Sequence, residues 1–114
     1  MYDEIFRPIK IRDVVVQNRA IFPPISTNFA RDDGHLSELF LKHYIRRARG
    51  EVGMIIVENS CVSYPEGKHG AYEPRIDSWE FYDDWRNFAR EFQNYDSVLS
   101  VELTHEGWKK RGVG

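Results

Sequence analysis

The chain ends three of its apolar runs on polar residues that could do chemistry. The clearest case is VELTHEGW (101–108), in which a strand-like run places Glu102, His105 and Glu106 around one bend. Carboxylates and imidazoles move protons, and they also orient a bound group by hydrogen bonding. A carboxylate inside a strand that otherwise belongs in a core needs a polar surface to face.

The cysteine and the histidines are less informative. Cys61 is the one cysteine of the 114 residues and cannot form an internal disulfide. No base is evident near it, so we expect it to act as a small buried apolar residue. His35, His43, His69 and His105 show no metal-ligand spacing such as His-x-x-x-His, and the sequence predicts no metal site. We expect His43 on a helix face and His69 in solvent.

Composition and charge exclude several functional classes. The chain is 41% hydrophobic and 30% charged, with a net charge of -2. That balance leaves no basic field for nucleic acid and no polybasic patch for a membrane surface. No apolar run approaches the roughly 20 residues that span a bilayer, and the first residues lack the apolar core of a signal peptide. With a single cysteine, these features favour a cytoplasmic protein without a nucleic-acid or membrane partner.

The hydrophobic pattern of the first half predicts a hairpin, a strand, a helix and a second strand. IKIRDVVVQNR is typical of a hairpin with Arg12 and Asp13 at its turn, and AIFPPI is a short strand that its prolines end. Ser37 then caps a helix that Gly50 ends. The continuous apolar run over 52–59 is typical of a parallel strand buried on both faces.

The second half predicts a further helix and strand. After the polar loop SYPEGKHGAYEPR, Asp77 and Glu80 form a capping-box pair for a helix. The apolar stripe of that helix consists of Phe81, Trp85, Phe88 and Phe92. The run SVLSVEL is the last strand. Strands that alternate with helices predict an α/β fold with a parallel sheet. Because ligands bind at the carboxyl ends of such strands, the loops after the three strands are expected to share one binding face.

Three spaced motifs resemble the old yellow enzyme family of NADH:flavin oxidoreductases. FRPIKIRDVVVQNRAIFPPISTNFARDDG resembles the family's opening hairpin and first strand, and GEVGMIIVENSCVSYPEG resembles its second strand and loop. VELTHEGW resembles its third strand, usually Gln-Leu-x-His-x-Gly-Arg. The resemblance implies a (β/α)₈ TIM barrel with FMN at the carboxyl mouth. Residues 1–114 would be a truncated, amino-terminal portion with the hairpin, strands one to three and two helices.

The resemblance also implies a function. In such enzymes NADH or NADPH reduces FMN, and the flavin then delivers hydride to a small-molecule acceptor of the activated alkene type. The catalytic histidine pair, the phosphate-binding region and the tyrosine of such enzymes would lie beyond Gly114. No catalytic residue is therefore assigned, and the isolated chain is expected to be inactive. The alternative is a non-catalytic half-barrel that serves as an oligomerisation or binding module. Open strand edges predict self-association.

The resemblance assigns several residues to a flavin site. Pro23, Pro24, Ile25 and Ser26 correspond to the first flavin-contacting segment, where the Ser26 hydroxyl would donate to the flavin C4 carbonyl. The alternative is a turn in which Ser26 satisfies local backbone. Asn28 corresponds to a substrate-facing position.

Three residues depart from the family pattern. Asn59 replaces a small residue beside the flavin. Three alternatives follow: its side chain hydrogen-bonds the flavin ring, it crowds the ring, or it only stabilises a turn. Glu102 replaces a glutamine that donates to flavin O2 and accepts from N3–H, whereas an ionised glutamate only accepts. Glu102 is therefore either protonated or part of an altered flavin site. Trp108 replaces an arginine. His105 matches the family's histidine after strand three, where an orienting hydrogen bond is expected.

Overall fold

The chain begins with an antiparallel hairpin and continues as a parallel sheet with two helices. The computed structural model describes residues 3–105. The elements are β1 (Ile9–Ile11), β2 (Val14–Val16), β3 (Ile21–Phe22), α1 (Glu38–Arg49), β4 (Met54–Cys61), a 3₁₀ turn (Trp79–Phe81) that runs into α2 (Tyr82–Phe92), and β5 (Val98–Thr104). The sheet has the order β3-β4-β5, and both strand pairs are parallel. The predicted α/β order with a parallel sheet is confirmed.

Local signals placed the first elements correctly. The antiparallel register of β1 and β2 leaves Arg12 and Asp13 at the turn. Ser37 caps α1, because its hydroxyl accepts from the backbone N–H of Phe40 at 3.0 Å, and Gly50 is the C-cap. Each of these signals acts within a few residues, so long-range packing did not override it.

The strand bounds and the start of the second helix differ from the predictions. Strand β4 begins and ends two residues later than 52–59. Asp77 is not a helix cap, because both of its carboxylate oxygens accept from the guanidinium of Arg75 at 2.8 Å. This pairing holds the pKa of Asp77 below its usual value. Ser78 caps the helical segment instead, accepting from the N–H of Glu80 at 3.2 Å. The capping-box prediction was therefore wrong.

The core lies between the sheet and the two helices. Its buried members are Ala30, Phe40, Tyr44, Ala48, Ile55, Val57, Phe88 and Phe92. The rings of Phe40 and Phe88 lie 5.5 Å apart between centroids and join the helices. Burying one side chain of this size contributes about 1.5–3 kcal/mol. The cluster therefore fixes both helices against one face of the sheet.

The outer strands of the sheet remain open within the described residues. Strands β3 and β5 each pair with β4 alone. Ile21 on β3 is 53% exposed and Leu103 on β5 is 59% exposed. Such edges present unpaired backbone groups that can pair with another strand. Of the helices in residues 3–105, none combines the length and apolarity that crossing a bilayer requires.

Candidate functional site

The loops that follow β3 and β4 meet at the carboxyl edge of the sheet. The Ser26 hydroxyl donates to Oδ1 of Asn59 at 2.5 Å. A cavity of about 190 Å³ opens beside this contact. It is lined by Ser26, Asn28, Glu58, Asn59, His69, Gly70, Tyr72 and Glu73. Three residues predicted for the site from sequence, Ser26, Asn28 and Asn59, are thus brought together.

A β-bulge in β4 shapes this edge. The ladder between β4 and β5 shifts register between Val57 and Ser60. Glu58 and Asn59 therefore lie opposite a single residue of β5, Glu102. An extra residue in one strand re-aims the side chains around it, and bulges of this kind are common next to active sites. Glu102 is half-buried on the neighbouring strand, across the ladder from two residues that line the cavity.

Glu58 is a buried carboxylate that the sequence interpretation missed. The residue is only 1% exposed to solvent. Oε1 accepts from the hydroxyl of Thr27 at 2.7 Å and from that of Tyr44 at 2.9 Å. Oε2 accepts from the backbone N–H of Thr27 at 3.1 Å. All three donors are neutral. The available signal was one acidic residue directly after the apolar run over 54–57.

Tyr44 links this carboxylate to helix α1. Its hydroxyl accepts from the backbone N–H of Glu58 at 3.0 Å while it donates to the carboxylate. Burial, with a further contribution from the charge of Glu58, raises the pKa of Tyr44 well above its usual value. The phenol therefore keeps its proton and remains a donor to Glu58.

Thr27 connects Glu58 to the turn that follows it in the chain. Its hydroxyl oxygen accepts from the N–H of Phe29 at 3.1 Å. Between them Asn28 has a φ of 60°, a left-handed conformation that is uncommon for residues with a side chain and that asparagine tolerates best. The exposed position of Asn28 thus results from a turn that Glu58 and Thr27 hold together.

Glu73 is a second buried carboxylate at the same edge, at 4% exposure. It accepts from the backbone N–H groups of His69 and Gly70 and from the hydroxyl of Thr104, the last two at 3.1 and 3.0 Å. Thr104 ends β5, so this carboxylate ties the loop after β4 to the third strand. No local sequence signal indicated this role, because Glu73 lies in a polar loop.

The remaining residues predicted for the flavin-contacting segment follow β3 directly. Pro23 and Pro24 end that strand, as the sequence predicted. Pro24 is half-buried, whereas Pro23 and Ile25 are exposed. None of the three lines the cavity, so their flavin contacts stay predictions.

Cys61 and His43 are structural residues. Cys61 is fully buried, and its thiol donates to the carbonyl of Ser63 at 3.2 Å. Burial raises the pKa of this thiol and so disfavours the reactive thiolate. His43 lies on α1 with its ring 5.5 Å from that of Phe29 and 5.8 Å from that of Phe22. The interpretations of Cys61 as structural and of His43 as a helix-face residue are confirmed.

The other histidines and metal-ligating groups add no further site. His69 is exposed, as predicted, yet it also lines the cavity. His105 follows β5 and is exposed. In residues 3–105, no group of three or more His, Cys, Asp or Glu side chains could hold a metal ion. Trp108 and Glu106 lie outside the described residues.

A larger cavity of about 320 Å³ lies elsewhere on the molecule. It is lined by Ile76, Asp77, Ser78, Trp79, Phe81, Tyr82 and Trp85. Four of these side chains are aromatic, and none is a predicted site residue. The smaller polar cavity combines convergent hydrogen-bonding groups with the carboxyl ends of parallel strands, which is where α/β enzymes bind ligands. We therefore assign the candidate site to the smaller cavity.

This fold and site define an α/β protein with a ligand-binding edge formed by the loops after its parallel strands. The sequence profile of the NADH:flavin oxidoreductase / NADH oxidase family matches residues 4–111. The chain belongs to this family. The resemblance predicted from the motifs, and the family's flavin and nicotinamide cofactors, are thereby confirmed at the level of the family.

Two curated relatives illustrate the match. The chain is 34% identical over 106 residues to an NADH oxidase of Thermoanaerobacter brockii, covering 93% of this chain and 16% of that protein. It is 33% identical over 110 residues to an NADPH dehydrogenase of Bacillus subtilis, covering 96% of this chain and 32% of that protein. The chain thus spans about a third, or less, of the length of these relatives.

Solved structures agree with this assignment. The old yellow enzyme of Trypanosoma cruzi superposes with a TM-score of 0.80 at 29% identity, over 91% of this chain and 27% of that chain. The old yellow enzyme homologue of Zymomonas mobilis gives a TM-score of 0.81 at 25% identity, over 90% and 28% of the two chains. These enzymes are the fold relatives of the chain.

Asn59 on β4 offers hydrogen-bond donors that suit a flavin, whereas Glu102 on β5 offers one only when protonated. Asn59 uses its amide oxygen to accept from Ser26, which leaves two N–H donors for the carbonyl and imine acceptors of a flavin ring. The one Ser26 proton is already donated to Asn59. Glu102 suits the family's glutamine position only when protonated, because an ionised carboxylate has no donor.

Proposed function

We propose that this chain is the amino-terminal part of a (β/α)₈ barrel that acts as an FMN-dependent NAD(P)H oxidoreductase. In this proposal β3, β4 and β5 are the first three barrel strands, and residues 1–114 form a partial domain. One observation supports it most strongly: Ser26, Asn28 and Asn59 surround one cavity at the carboxyl edge of a parallel sheet. The substrate class would be small acceptors of the activated alkene type.

FMN, when bound, supplies the hydride chemistry, and the protein supplies binding and orientation. The Asn59 amide and backbone groups of residues 23–26 would hold the ring from β3 and β4. Glu102 would face it from β5, where a protonated carboxyl donates as the family's glutamine does and an ionised one repels negative charge. Asn28 would face the acceptor. No residue of this chain is assigned a proton-transfer step, so we expect the isolated chain to be inactive.

A small-molecule acceptor, a cytoplasmic location, and no nucleic-acid or membrane partner complete the proposal. The buried, unpaired Cys61 supports a reducing compartment. The balanced charge of the chain supports the absence of polyanionic partners.

A second candidate function is a non-catalytic half-barrel that mediates oligomerisation or binding. The observation that favours it is the exposure of apolar residues on both outer strands, Ile21 on β3 and Leu103 on β5. The departures from the family pattern at Asn59 and Glu102 also support it. In this case the open edges would pair with another chain.

The two functions are separated by completing the barrel. We would join this chain to the part of the Bacillus subtilis NADPH dehydrogenase that follows the matched region, with the parent enzyme as the control. The oxidoreductase proposal predicts a yellow chimera that oxidises NADPH or NADH when an α,β-unsaturated ketone is added. A folded chimera without flavin, beside a flavin-loaded parent, would instead favour the binding module.

A further inference from the structure

We propose that Glu58 is a positioning residue, whose buried carboxylate fixes the turn over residues 26–29 and so presents Ser26 and Asn28 to the cavity. That this positioning serves a flavin site rests on the proposed function. The positioning itself concerns only residues that the structure describes, so it can be tested without flavin.

The carboxylate of Glu58 lies in the protein interior. Removing a carboxylate from water is costly unless hydrogen bonds replace the lost hydration. Glu58 is 1% exposed, and both of its oxygens accept, from two groups of Thr27 and from the Tyr44 hydroxyl. An apolar side chain would fill the same space without that cost. What the carboxylate adds is a fixed, acceptor-only partner for the donors around it.

Two of the three donors to Glu58 belong to Thr27, which lies 31 positions earlier in the chain. The Thr27 hydroxyl is also the acceptor for the N–H of Phe29, which closes the left-handed turn at Asn28. Glu58 therefore holds the residue whose hydroxyl closes this turn.

The two residues of the bulge in β4 contact two consecutive loop residues, since Asn59 accepts from Ser26 and Glu58 accepts from Thr27. In a regular strand, neighbouring side chains point to opposite faces. The register shift in β4 thus allows both side chains to reach the same loop, and Glu58 anchors the segment from the buried side.

Glu73 provides a matched control. It is also buried, at 4% exposure, and it also accepts from backbone N–H groups and a threonine hydroxyl. Its donors belong to a different loop, at His69 and Gly70. A glutamine at either position is close in size to the glutamate and replaces one acceptor oxygen by a donor.

The test is amide hydrogen exchange of the 114-residue chain, read by mass spectrometry with fragmentation that resolves single amides and tolerates self-association. In Glu58→Gln the N–H of Thr27 loses its charged acceptor, and a neutral amide oxygen accepts more weakly than a carboxylate, so that amide should exchange about tenfold faster or more. The amides of His69 and Gly70 should keep their rates. Glu73→Gln should give the converse pattern.

Variants at Thr27 keep the proposal testable if Glu58→Gln does not fold. Thr27→Val removes the hydroxyl that Phe29 needs but retains the backbone donor, so the Phe29 amide should exchange faster while amide 27 does not. Thr27→Ser retains both donors and should behave as wild type.

Unchanged exchange at Thr27 in Glu58→Gln, or equal acceleration at residues 27, 69 and 70, would overturn the inference. Uniform acceleration in Thr27→Val would do the same. A completed barrel that lacks flavin would contradict the proposed function and leave these exchange results untouched.

Discussion

The hydroxyl of Ser26 donates to Oδ1 of Asn59 at 2.5 Å, joining the loop after β3 to strand β4 across 33 positions of sequence. This contact commits the one proton of Ser26, so that hydroxyl has none left for a flavin carbonyl while the contact persists. It also leaves both N–H donors of Asn59 available. The family resemblance implied that Ser26 donates to the flavin, and we expect Asn59 to take that role instead.

A double-mutant cycle in the completed barrel tests this exchange of roles. With Asn59 present, Ser26→Ala should change FMN affinity little, because the serine proton is not directed at the ring. In the Asn59→Ala background the serine proton is released, and Ser26→Ala should then cost about 0.5–1.5 kcal/mol of FMN binding. FMN titration by fluorescence quenching measures all four variants. Equal costs of Ser26→Ala in both backgrounds would contradict the geometry.

The 114-residue chain alone is expected to have no reductase activity and to lose FMN during gel filtration. Only the β3–β5 side of the proposed site belongs to the described residues, and the phosphate anchor and the proton donor are expected elsewhere in the barrel. Absorbance at the flavin band of the eluted protein is the measurement. A yellow protein with one flavin per chain would refute this expectation.

The isolated chain is also expected to self-associate. Strands β3 and β5 leave unpaired edges within the described residues, and a closed barrel would remove such edges. Sedimentation velocity at micromolar concentration should show oligomers or aggregates. A compact monomer with cooperative unfolding would count against the half-barrel interpretation.

His43 should make stability depend on pH in the completed barrel. Its Nε2 is buried without a hydrogen-bond partner among the described residues, and burial, with the nearby charge of Arg47, lowers the pKa of His43. The folded state therefore resists protonation. Its contribution is fully present above the unfolded pKa, about 6.5, and is lost as pH falls below that value towards the folded pKa.

Urea denaturation of wild type and His43→Phe at pH 5 and pH 8 checks this expectation. The difference in unfolding free energy between the two proteins should shift in favour of the phenylalanine variant at pH 5. A difference that is the same at both pH values would show that His43 does not titrate on unfolding in this range.

Local features of the fold were predictable, and distant ones were not. The turn at Arg12 and Asp13, the cap at Ser37 and the end of α1 at Gly50 each depend on neighbouring residues. The capping role of Asp77 failed because the side chain of Arg75 competed for the same carboxylate.

The residues that shape the site act over long distances in sequence. Glu58 and Thr27 are 31 positions apart, as are Glu73 and Thr104. The bulge that lets Glu58 and Asn59 reach the same loop depends on the register with β5. Neither hydrophobic periodicity nor a family motif encodes such pairings, because both describe one segment at a time.

The most direct test of a flavin site at this edge is Glu102→Gln in the completed barrel, followed by FMN affinity and flavin potential across pH. Reduced FMN carries negative charge over its N1–C2=O region, and an ionised carboxylate at β5 repels it in a partly buried site where screening is weak. Glutamine restores a donor. It should strengthen binding of reduced flavin by about 1.5–3 kcal/mol, or one to two powers of ten, and raise the potential.

We expect the wild type to bind reduced FMN more weakly than Glu102→Gln and to have the lower flavin potential. Identical affinity and potential for wild type and Glu102→Gln at every pH would contradict this expectation, because β5 would then not face the flavin.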